Sequence, residues 1–484
     1  MLPEISIDHA LEKPIYRQVY EQIRSAILDH GLSRGERMPS TREMAGLIGL
    51  NRTTIKNAFD LLESEGLIRS YVGRGTFVEG PEPKLNWGEL VSQPANPPAP
   101  PNAMVSFSAS KPPEDQFPIE EFRATVREVI DSPEAAQILQ LGPAGGYGPL
   151  RKFILSQMCE RGIARDDDQV LITSGAQQAF DLIQRVLASN RETVVIEDPV
   201  YPGLRNAFLQ GGARVLGAQM NEQGVDAASL DKLLEREHPR LLVLTPNFQN
   251  PTGATIPEAA RREILDSVRR SGTILVENDL YGSLRYTGSE IPSIKQMDET
   301  GDTIQLGSFS KIAFPGLRVG WVIGPRRFIA RLTEAKEACD LHSDQLSQAV
   351  LLRFAQSGRL AAHREKMIET GRERLRECLD GCSRFLPAGS FYTRPEGGMN
   401  VWVRLPQPLD AAELALRAAR ENVSYLPGKY FSVEKPHTNG LRLSFMGIEP
   451  HKILYGLQIL GGIFAAEMSR VRRARQSEPQ PALV

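Results

Sequence analysis

The sequence predicts a multidomain protein with a small helical domain at the N-terminus, a large α/β domain, and a smaller α+β domain at the C-terminus. Three observations support this prediction. Residues 14–78 carry three amphipathic helical patterns and two short β-like runs, residues 81–103 contain seven prolines without periodicity, and short apolar runs alternate with helix-length stretches from about residue 104. At 484 residues the chain exceeds one ordinary domain and should hold two or three.

Composition and charge indicate a globular cytoplasmic protein. The net charge of −2 favours neither nucleic acid nor membrane, so any DNA binding must come from a local patch. The four cysteines show no CxxC spacing in a chain too large to need disulfides, which favours free thiols. The N-terminus lacks the pattern of a signal peptide. The apolar segment from Ile453 to Met468 is short for a membrane span, so we expect a buried helix there.

The N-terminal pattern predicts a winged helix-turn-helix. The stretch PIYRQVYEQIRSAILDH places its apolar residues on one helical face. Ser40 and Glu43 have the spacing of a capping box, Gly49 can end that second helix, and Asn51 can cap a third. Two β-like runs, LIRSY and GTFV, follow and are joined by a tight turn at residues 72–75.

In this arrangement the third helix would enter the major groove with its N-terminal residues leading. Residues 34–74 contain seven basic and five acidic residues, which supports DNA binding only modestly. A trihelical protein-binding module could carry the same pattern. The side chains predicted to reach bases or phosphates are Arg42, Arg52, Thr53, Thr54 and Lys56, with Arg74 and Gly75 in the wing.

A resemblance favours DNA binding over that alternative. The stretches PIYRQVYEQIRSAI, GERMPSTREMAGLIGLNRTTI and LLESEGLIRSYVGRGTFV resemble the DNA-binding domain of GntR-type bacterial regulators along its whole length. We therefore expect a DNA-binding domain at residues 1–80 and a linker at residues 81–103. An extended proline-rich linker of this length reaches on the order of 60 Å, enough to place the head away from its own large domain, over a partner subunit.

The second half of the chain predicts a mainly parallel sheet covered by helices on both faces. Its apolar runs are QVLITSG, TVVIED, RLLVLTP, TILVEND and TIQLG. Ligands in such folds bind beyond the carboxyl ends of the strands. Candidate ligand-binding residues follow each run there: Gly175, Ala176 and Gln177 at a helix start, then Tyr201, Asn250, Asp279 with Tyr281, and Lys311.

The stretch GSFSKIAFPGLRVGW around Lys311 points to one cofactor. A buried lysine amine can form a Schiff base, and Ser308, Ser310 and Arg318 offer three groups for a phosphate. This combination is typical of an anchor for pyridoxal 5′-phosphate (PLP). A surface lysine in a hairpin is the plainer alternative.

Residues 104–470 resemble the fold-type I PLP-dependent aminotransferases, with residues 104–335 as the large domain and 336–470 as the small one. The resemblance implies a Schiff base at Lys311, pairing of Asp279 with the pyridine nitrogen, contacts from Asn250 and Tyr281 to the ring hydroxyl, and stacking by Tyr201. It also implies a phosphate site and a carboxylate-binding arginine in NGLRLSF: Gly175, Ala176, Gln177, Ser308, Ser310 and Arg318 for the phosphate, and Arg442 for the carboxylate.

Two departures from the family pattern concern the substrate side and the subunit interface. Leu141 stands where the family often has a tyrosine, and Ser110 or its neighbour stands where a glycine commonly lines the substrate pocket. Both bear on turnover more than on cofactor binding.

The joined domains resemble the MocR regulators (GabR- and PdxR-like). That resemblance implies a homodimer, often head-to-tail, binding two DNA half-sites and using PLP as part of a sensor for an amino compound or for PLP itself. No metal is expected, and residues 471–484 are predicted to be a disordered tail. The alternative is a working aminotransferase with an accessory DNA-binding domain, supported by the complete NPTG and NDLYG segments.

Overall fold

The computed structural model describes residues 5–8, 11, 13–28, 31–71, 74–80, 104–188 and 191–477, with the side chains of 474–477 left aside. The predicted linker at 81–103, the first two residues of the predicted wing turn (72–73) and residues 478–484 lie outside the described part.

The head is a winged helix-turn-helix, as predicted. The capping box of Ser40 with Glu43 is present, Gly49 ends the second helix in the left-handed conformation, and the Asn51 side chain accepts from the Thr53 N–H at 2.8 Å. The three strands pair antiparallel in the order β1-β3-β2, and the short β1 was not predicted. The elements are α1 (Ile15–Leu28), β1 (Arg37–Met38), α2 (Thr41–Ile48), α3 (Arg52–Ser64), β2 (Ile68–Tyr71) and β3 (Gly75–Val78).

The large domain is built on an eight-stranded sheet in the order β5-β12-β11-β10-β9-β6-β7-β8. The predicted apolar runs form β5, β6, β9, β10 and β11. The strands from β11 through β7 are parallel neighbours, whereas β12 is antiparallel to both β11 and β5. The strands, with β4 before them, are β4 (Val105–Ser106), β5 (Asp168–Thr173), β6 (Thr193–Asp198), β7 (Arg214–Asn221), β8 (Gly224–Val225), β9 (Leu241–Leu244), β10 (Ile274–Asn278), β11 (Ile304–Ser308) and β12 (Gly320–Pro325).

Helices cover both faces of this sheet, and their apolar sides form separate core clusters with it. They are α4 (Ile119–Ile130), α5 (Ala135–Ile138), α6 (Gly148–Glu160), α7 (Ala176–Leu187), α8 (Pro202–Gln210), α9 (Ala227–Glu237), α10 (Glu258–Ser271), α11 (Ile294–Met297), α12 (Arg326–Asp340) and α13 (Gln345–Gln356).

The small domain packs two long helices on a four-stranded antiparallel sheet. It consists of α14 (Arg359–Phe385), β13 (Phe391–Tyr392), β14 (Asn400–Arg404), α15 (Ala411–Arg420), β15 (Val423–Ser424), β16 (Leu426–Pro427), β17 (Gly440–Ser444) and α16 (Pro450–Ser477). Strand β4 pairs with β15 and so belongs to this domain rather than to the large one.

Three sequence-based expectations about the later part of the chain can be compared with the structure. Helix α12 crosses the expected border at residue 335, because the helix that packs on the large-domain core through Ile329 and Leu332 continues unbroken to Asp340. Residues 471–477 are helical rather than disordered, because they extend α16. The apolar segment of α16 is a buried helix as expected, with Ile453, Leu457 and Phe464 fully buried. None of the described helices is long and apolar enough to cross a membrane.

The head lies against the small domain of the same chain, through a cluster of buried charges. Arg17 on α1 contacts Glu413 on α15 at 2.5 Å and Glu467 on α16 at 3.3 Å. Arg417 reaches Glu467 at 2.9 Å, and the side chain of Glu467 is completely buried. This cluster joins two regions that lie far apart in the sequence, since Arg17 and Glu467 are separated by 450 positions.

The end of α16 also contacts the helix that is predicted to read DNA. The Arg470 guanidinium donates to the backbone carbonyl of Asn57 on α3 at 2.6 Å and lies 3.5 Å from the carboxylate of Asp60. The sequence predicts a linker long enough to place the head over a partner subunit, whereas these contacts place the head on the small domain of its own chain.

Candidate cofactor site and nucleic-acid interface

A cavity of about 320 Å³ opens beyond the carboxyl ends of the large-domain strands, where the topology predicts a ligand. Strand-end segments and the small domain both contribute to its wall. Ten of the predicted residues line it: Ala176, Gln177, Tyr201, Asn250, Tyr281, Ser308, Ser310, Lys311, Arg318 and Arg442.

Lys311 lies in a short 3₁₀ turn between β11 and β12, as the sequence predicted. Its Nζ donates to the backbone carbonyl of Ser110 at 2.7 Å and lies 5.5 Å from the centroid of the Tyr281 ring. Burial alone would raise the pKa of the Tyr281 phenol, but the positive charges of Lys311 and Arg442, with hydrogen bonds from neighbours, hold that pKa below its ordinary value. The two groups therefore form an amine–phenol pair in a nearly dry setting.

Arg442 projects from β17 beside that pair. Its Nη1 donates to the Asn250 side-chain oxygen at 2.9 Å, and its Nη2 donates to the carbonyl of Ser108 at 2.5 Å. The Asn250 Nδ2 in turn lies 3.4 Å from the Tyr281 hydroxyl. Burial lowers the pKa of Arg442 to about 10, so the guanidinium stays charged at neutral pH. Its Nε is buried without a partner, which leaves a donor for an incoming anion.

The opposite end of the cavity is suited to a phosphate. The Ser308 hydroxyl accepts from the Ser310 N–H at 3.0 Å, while the Ser310 hydroxyl is buried without a partner. Arg318 reaches the Ser174 carbonyl at 3.2 Å, next to the N-terminus of α7. A helix start with exposed N–H groups, a guanidinium and a free hydroxyl together form an anion site.

Gly175 contributes to this site through its shape, not as a lining residue. Its φ of +81° is a conformation that side-chain-bearing residues rarely adopt, and a Cβ there would lie 2.5 Å from Arg318 Nη2. The glycine therefore lets the backbone and the guanidinium approach each other at the start of α7.

Asp279 does not line the cavity. Its carboxylate accepts from Asn247 Nδ2 at 3.0 Å and from the Gly282 N–H at 3.1 Å, in the turn after β10. Asn278, the last residue of β10, lines the cavity instead, beside Thr245 at the end of β9. Asn278 and Asp279 differ in this way because consecutive residues at a strand end point to different sides.

Sequence reasoning missed Thr245, Asn278 and Ser108 among the lining residues. Thr245 and Asn278 lie at strand ends, so the rule that ligands bind there could have identified both from the sequence. Ser110 was noticed as a departure, and the structure places it in the wall with its hydroxyl buried and unpartnered. Leu141, the other departure, is 75% exposed.

Most of the predicted DNA-binding side chains of the head are accessible. Arg42, Arg52, Thr53, Lys56 and Arg74 are exposed, and Thr54 is half-buried. A groove runs between α3 and the wing strands, and Arg52, Thr53 and Lys56 line it opposite Ser70 and Thr76. Gly75 has a φ of +105° at the start of β3 and packs close to the Arg37 side chain.

The fold and the two sites define a class of protein, a winged helix-turn-helix joined to a fold-type I PLP-dependent transferase domain. Comparison with known proteins supports both parts. Residues 102–460 match the family model for aminotransferase class I and II, and residues 15–78 match that for bacterial regulatory proteins of the gntR family. The chain therefore belongs to the class I and II aminotransferase family and carries a gntR-family DNA-binding domain.

Individual relatives fall into two groups. The chain is 37% identical over 362 residues to a 2-aminoadipate transaminase of Thermus thermophilus, covering 74% of this chain and 89% of that protein. It is 26% identical over 479 residues to the probable rhizopine catabolism regulatory protein MocR of Rhizobium meliloti, covering 95% of this chain and 96% of that protein. The second match spans the head, the linker and the body together.

Among solved structures, LysN, the alpha-aminoadipate aminotransferase of Thermus thermophilus complexed with N-(5′-phosphopyridoxyl)-L-leucine, matches with a TM-score of 0.72 and 34% identity. The match covers 76% of this chain and 94% of LysN. Family, fold and cavity together imply pyridoxal 5′-phosphate as the cofactor. The unpartnered Ser310 hydroxyl and the Gly175 turn fit its phosphate, and Lys311 fits its aldehyde.

Proposed function

We propose that the protein is a DNA-binding transcriptional regulator whose aminotransferase-like domain binds PLP and senses an amino compound or PLP itself. The observation that carries this proposal is the buried charge cluster of Arg17, Glu413 and Glu467, which connects the head to the domain that holds Arg442. A ligand bound by Arg442 would thereby act on the small domain, which contacts the DNA-binding head.

Different residues of the cavity would hold different groups of the cofactor. Lys311 would bind the aldehyde, Ser308, Ser310 and Arg318 would hold the phosphate, and Tyr201 would lie over the ring. Bound PLP supplies a carbonyl that condenses with amines, and so makes the site selective for amino compounds.

Arg442 would select effectors that carry a carboxylate. The residue is 3% exposed, charged and faces the cavity, so an anion there gains a charge-assisted hydrogen bond in a dry site. Because Arg442 lies on β17 in the small domain, binding of an effector to Arg442 would move that domain relative to the large one. The contacts of α16 would pass this movement to α1 and α3.

The protein would act as a homodimer on an operator with two half-sites. An exposed apolar patch supports self-association: Leu139, Leu141 and Leu341 are each more than 60% exposed, and Gln345 Nε2 joins their two segments by donating to the Gln140 carbonyl at 2.8 Å. The reach of the linker would allow a head-to-tail arrangement of the two chains.

DNA binding is tested at the groove of the head. Arg52→Ala or Lys56→Ala should weaken binding to DNA upstream of the gene without changing the PLP content. Each should also reduce the slope of the logarithm of the binding constant against the logarithm of the salt concentration by about one. Arg331→Ala, an exposed arginine of the large domain, is the matched control. Normal binding by both head variants would refute the assignment of α3.

Cofactor binding is tested by visible absorbance. The purified protein should carry PLP absorbance, and Lys311→Ala should lose the wild-type band because the covalent anchor is gone. Retention of that band at the wild-type wavelength in Lys311→Ala would contradict the role of this lysine.

A working aminotransferase remains the second candidate, favoured by the 37% identity to a transaminase. Incubation with a panel of amino acids and 2-oxoglutarate separates the two. Sustained turnover would favour the enzyme. A single amino transfer or none, with a changed DNA footprint, would favour the regulator.

A further inference from the structure

The wall of the cofactor cavity contains no carboxylate among the residues that the structure describes there. Its polar groups are hydroxyls, amides, one ammonium and two guanidinium groups. A carboxylate beside the pyridine nitrogen of PLP would keep that nitrogen protonated and make the ring a strong electron sink. The acid that the sequence offered for this task, Asp279, is used in the turn after β10.

Two neighbouring polar side chains of the cavity are candidates to face the nitrogen. In the proposed arrangement Ser310 and Arg318 would hold the phosphate, Asn250 and Tyr281 would contact the ring hydroxyl, and Lys311 would bind the aldehyde. The pair that none of these tasks uses is Asn278 with Thr245, at the ends of the adjacent parallel strands β10 and β9.

Asn278 has the features of a ligand-binding side chain. The residue is only 6% exposed, and its Nδ2 donates to Thr245 Oγ1 at 3.1 Å. Its Oδ1 is buried without a partner, although it borders the cavity. A buried amide oxygen without a hydrogen bond costs about 1–3 kcal/mol, so this atom needs a partner, and a ligand in the cavity can supply one.

Resting on the proposed function, we propose that Asn278 faces the pyridine nitrogen of PLP and leaves that nitrogen unprotonated at neutral pH. The Thr245 hydroxyl can donate or accept, so the amide can turn its N–H towards the nitrogen and donate a hydrogen bond to it. A neutral amide carries no net charge and stabilises a pyridinium much less than a carboxylate does. A cofactor held in this way would condense with amines but withdraw electrons weakly, which suits recognition better than turnover.

The expected size of the effect follows from electrostatics. An opposite charge in contact with a titrating group shifts its pKa by about 1–3 units. Asn278→Asp should therefore raise the pKa of the bound pyridine nitrogen by that amount. Asp279→Asn, one residue away but outside the cavity, is the matched control and should leave the nitrogen unchanged.

The experiment is a pH titration of the full-length protein loaded with ¹⁵N-labelled PLP, followed by the ¹⁵N signal of the ring. In the wild-type protein and in Asp279→Asn the signal should be that of an unprotonated nitrogen at about pH 7.5. In Asn278→Asp its titration should move upward by about 1–3 pH units.

A protonated nitrogen in the wild-type protein at that pH would overturn the proposal, whether or not Asn278→Asp folds. A change of the signal in Asp279→Asn without one in Asn278→Asp would overturn it too. Failure of the wild-type protein to retain labelled PLP at all is a different result. It would refute the proposed cofactor function, on which this inference rests.

Discussion

Glu467 offers the sharpest test of the contact between the head and the small domain. Its buried carboxylate lies 3.3 Å from the Arg17 guanidinium, 2.9 Å from that of Arg417 and 3.4 Å from the Tyr16 hydroxyl. Glu467→Gln keeps the shape and removes the charge. Removing one partner of a buried ion pair costs about 3–5 kcal/mol when the other charge is left alone.

Here the cost should be smaller. Arg17 keeps Glu413 at 2.5 Å, and the Arg417 side chain is 22% exposed and can be hydrated. We therefore expect Glu467→Gln to lower the free energy of opening at this contact by about 2–3 kcal/mol. Since about 1.4 kcal/mol corresponds to a factor of ten, this is an increase of about 30- to 150-fold in the opening equilibrium.

Hydrogen exchange followed by mass spectrometry measures this opening directly. Amides of α1 and of the end of α16 should exchange about 30- to 150-fold faster in Glu467→Gln, with the sheet of the large domain unchanged. The control is Glu334→Gln, which breaks an exposed pair with Arg331 of 2.7 Å. Exposed pairs contribute about 0–1 kcal/mol. Equal exchange of α1 in both variants would refute the docking of the head.

Three further predictions concern the body. Gly175→Ala should lose about 1–3 kcal/mol of stability in urea unfolding, because its φ is +81°, and should also bind PLP more weakly, because its Cβ displaces Arg318. Gly212→Ala, with a φ of +82° and no neighbour within 4 Å, should lose stability without losing PLP affinity, and an equal affinity in both variants would contradict the clash. Burial raises the pKa of Glu197 to about 8 from 4.5, so its contribution to stability is full below pH 4.5 and disappears as the pH rises to 8. The free energy of unfolding should fall by up to about 1.4 kcal/mol per pH unit across this window, and the fall should be shallower in Glu197→Gln. Arg442→Gln should keep PLP but need about 10- to 150-fold more of a carboxylate-bearing effector to change the DNA footprint, since a hydrogen bond to a charged group contributes about 1.5–3 kcal/mol. An unchanged effector requirement would exclude Arg442 from recognition.

Much of the fold was predictable because its signals are local. The capping box at Ser40 and the cap at Asn51 involve residues three or fewer positions apart, and they delimit α2 and α3 as expected. The apolar runs of the large domain are long enough to be recognised as buried parallel strands. Since ligands bind at the ends of such strands, half of the residues that line the cavity could be predicted without a structure.

The choice between Asp279 and Asn278 could not be made in this way. A shift of one residue in a strand moves a side chain to the other face, and only pairing with β9 and β11 sets this position. The chemistry of an aspartate favoured Asp279, whereas the residue that lines the cavity is Asn278. The docking of the head was unpredictable for a different reason: Arg17 and Glu467 are 450 positions apart, and neither stands in a local motif.

Helix α16 would connect the proposed effector site mechanically to the DNA-binding head. It starts six residues after the strand that carries Arg442 and ends beyond Arg470, which contacts the carbonyl of Asn57 on α3. Its 28 residues make a rod about 42 Å long. Arg470 lies about 30 Å along this rod, so a tilt of about 5° at its base would move the contact with α3 by about 2.6 Å. That displacement is a large part of the ~3.4 Å spacing of stacked base pairs along one strand. Under the proposed mechanism, a small domain closure at the cofactor would thus shift α3 by most of one base-pair step.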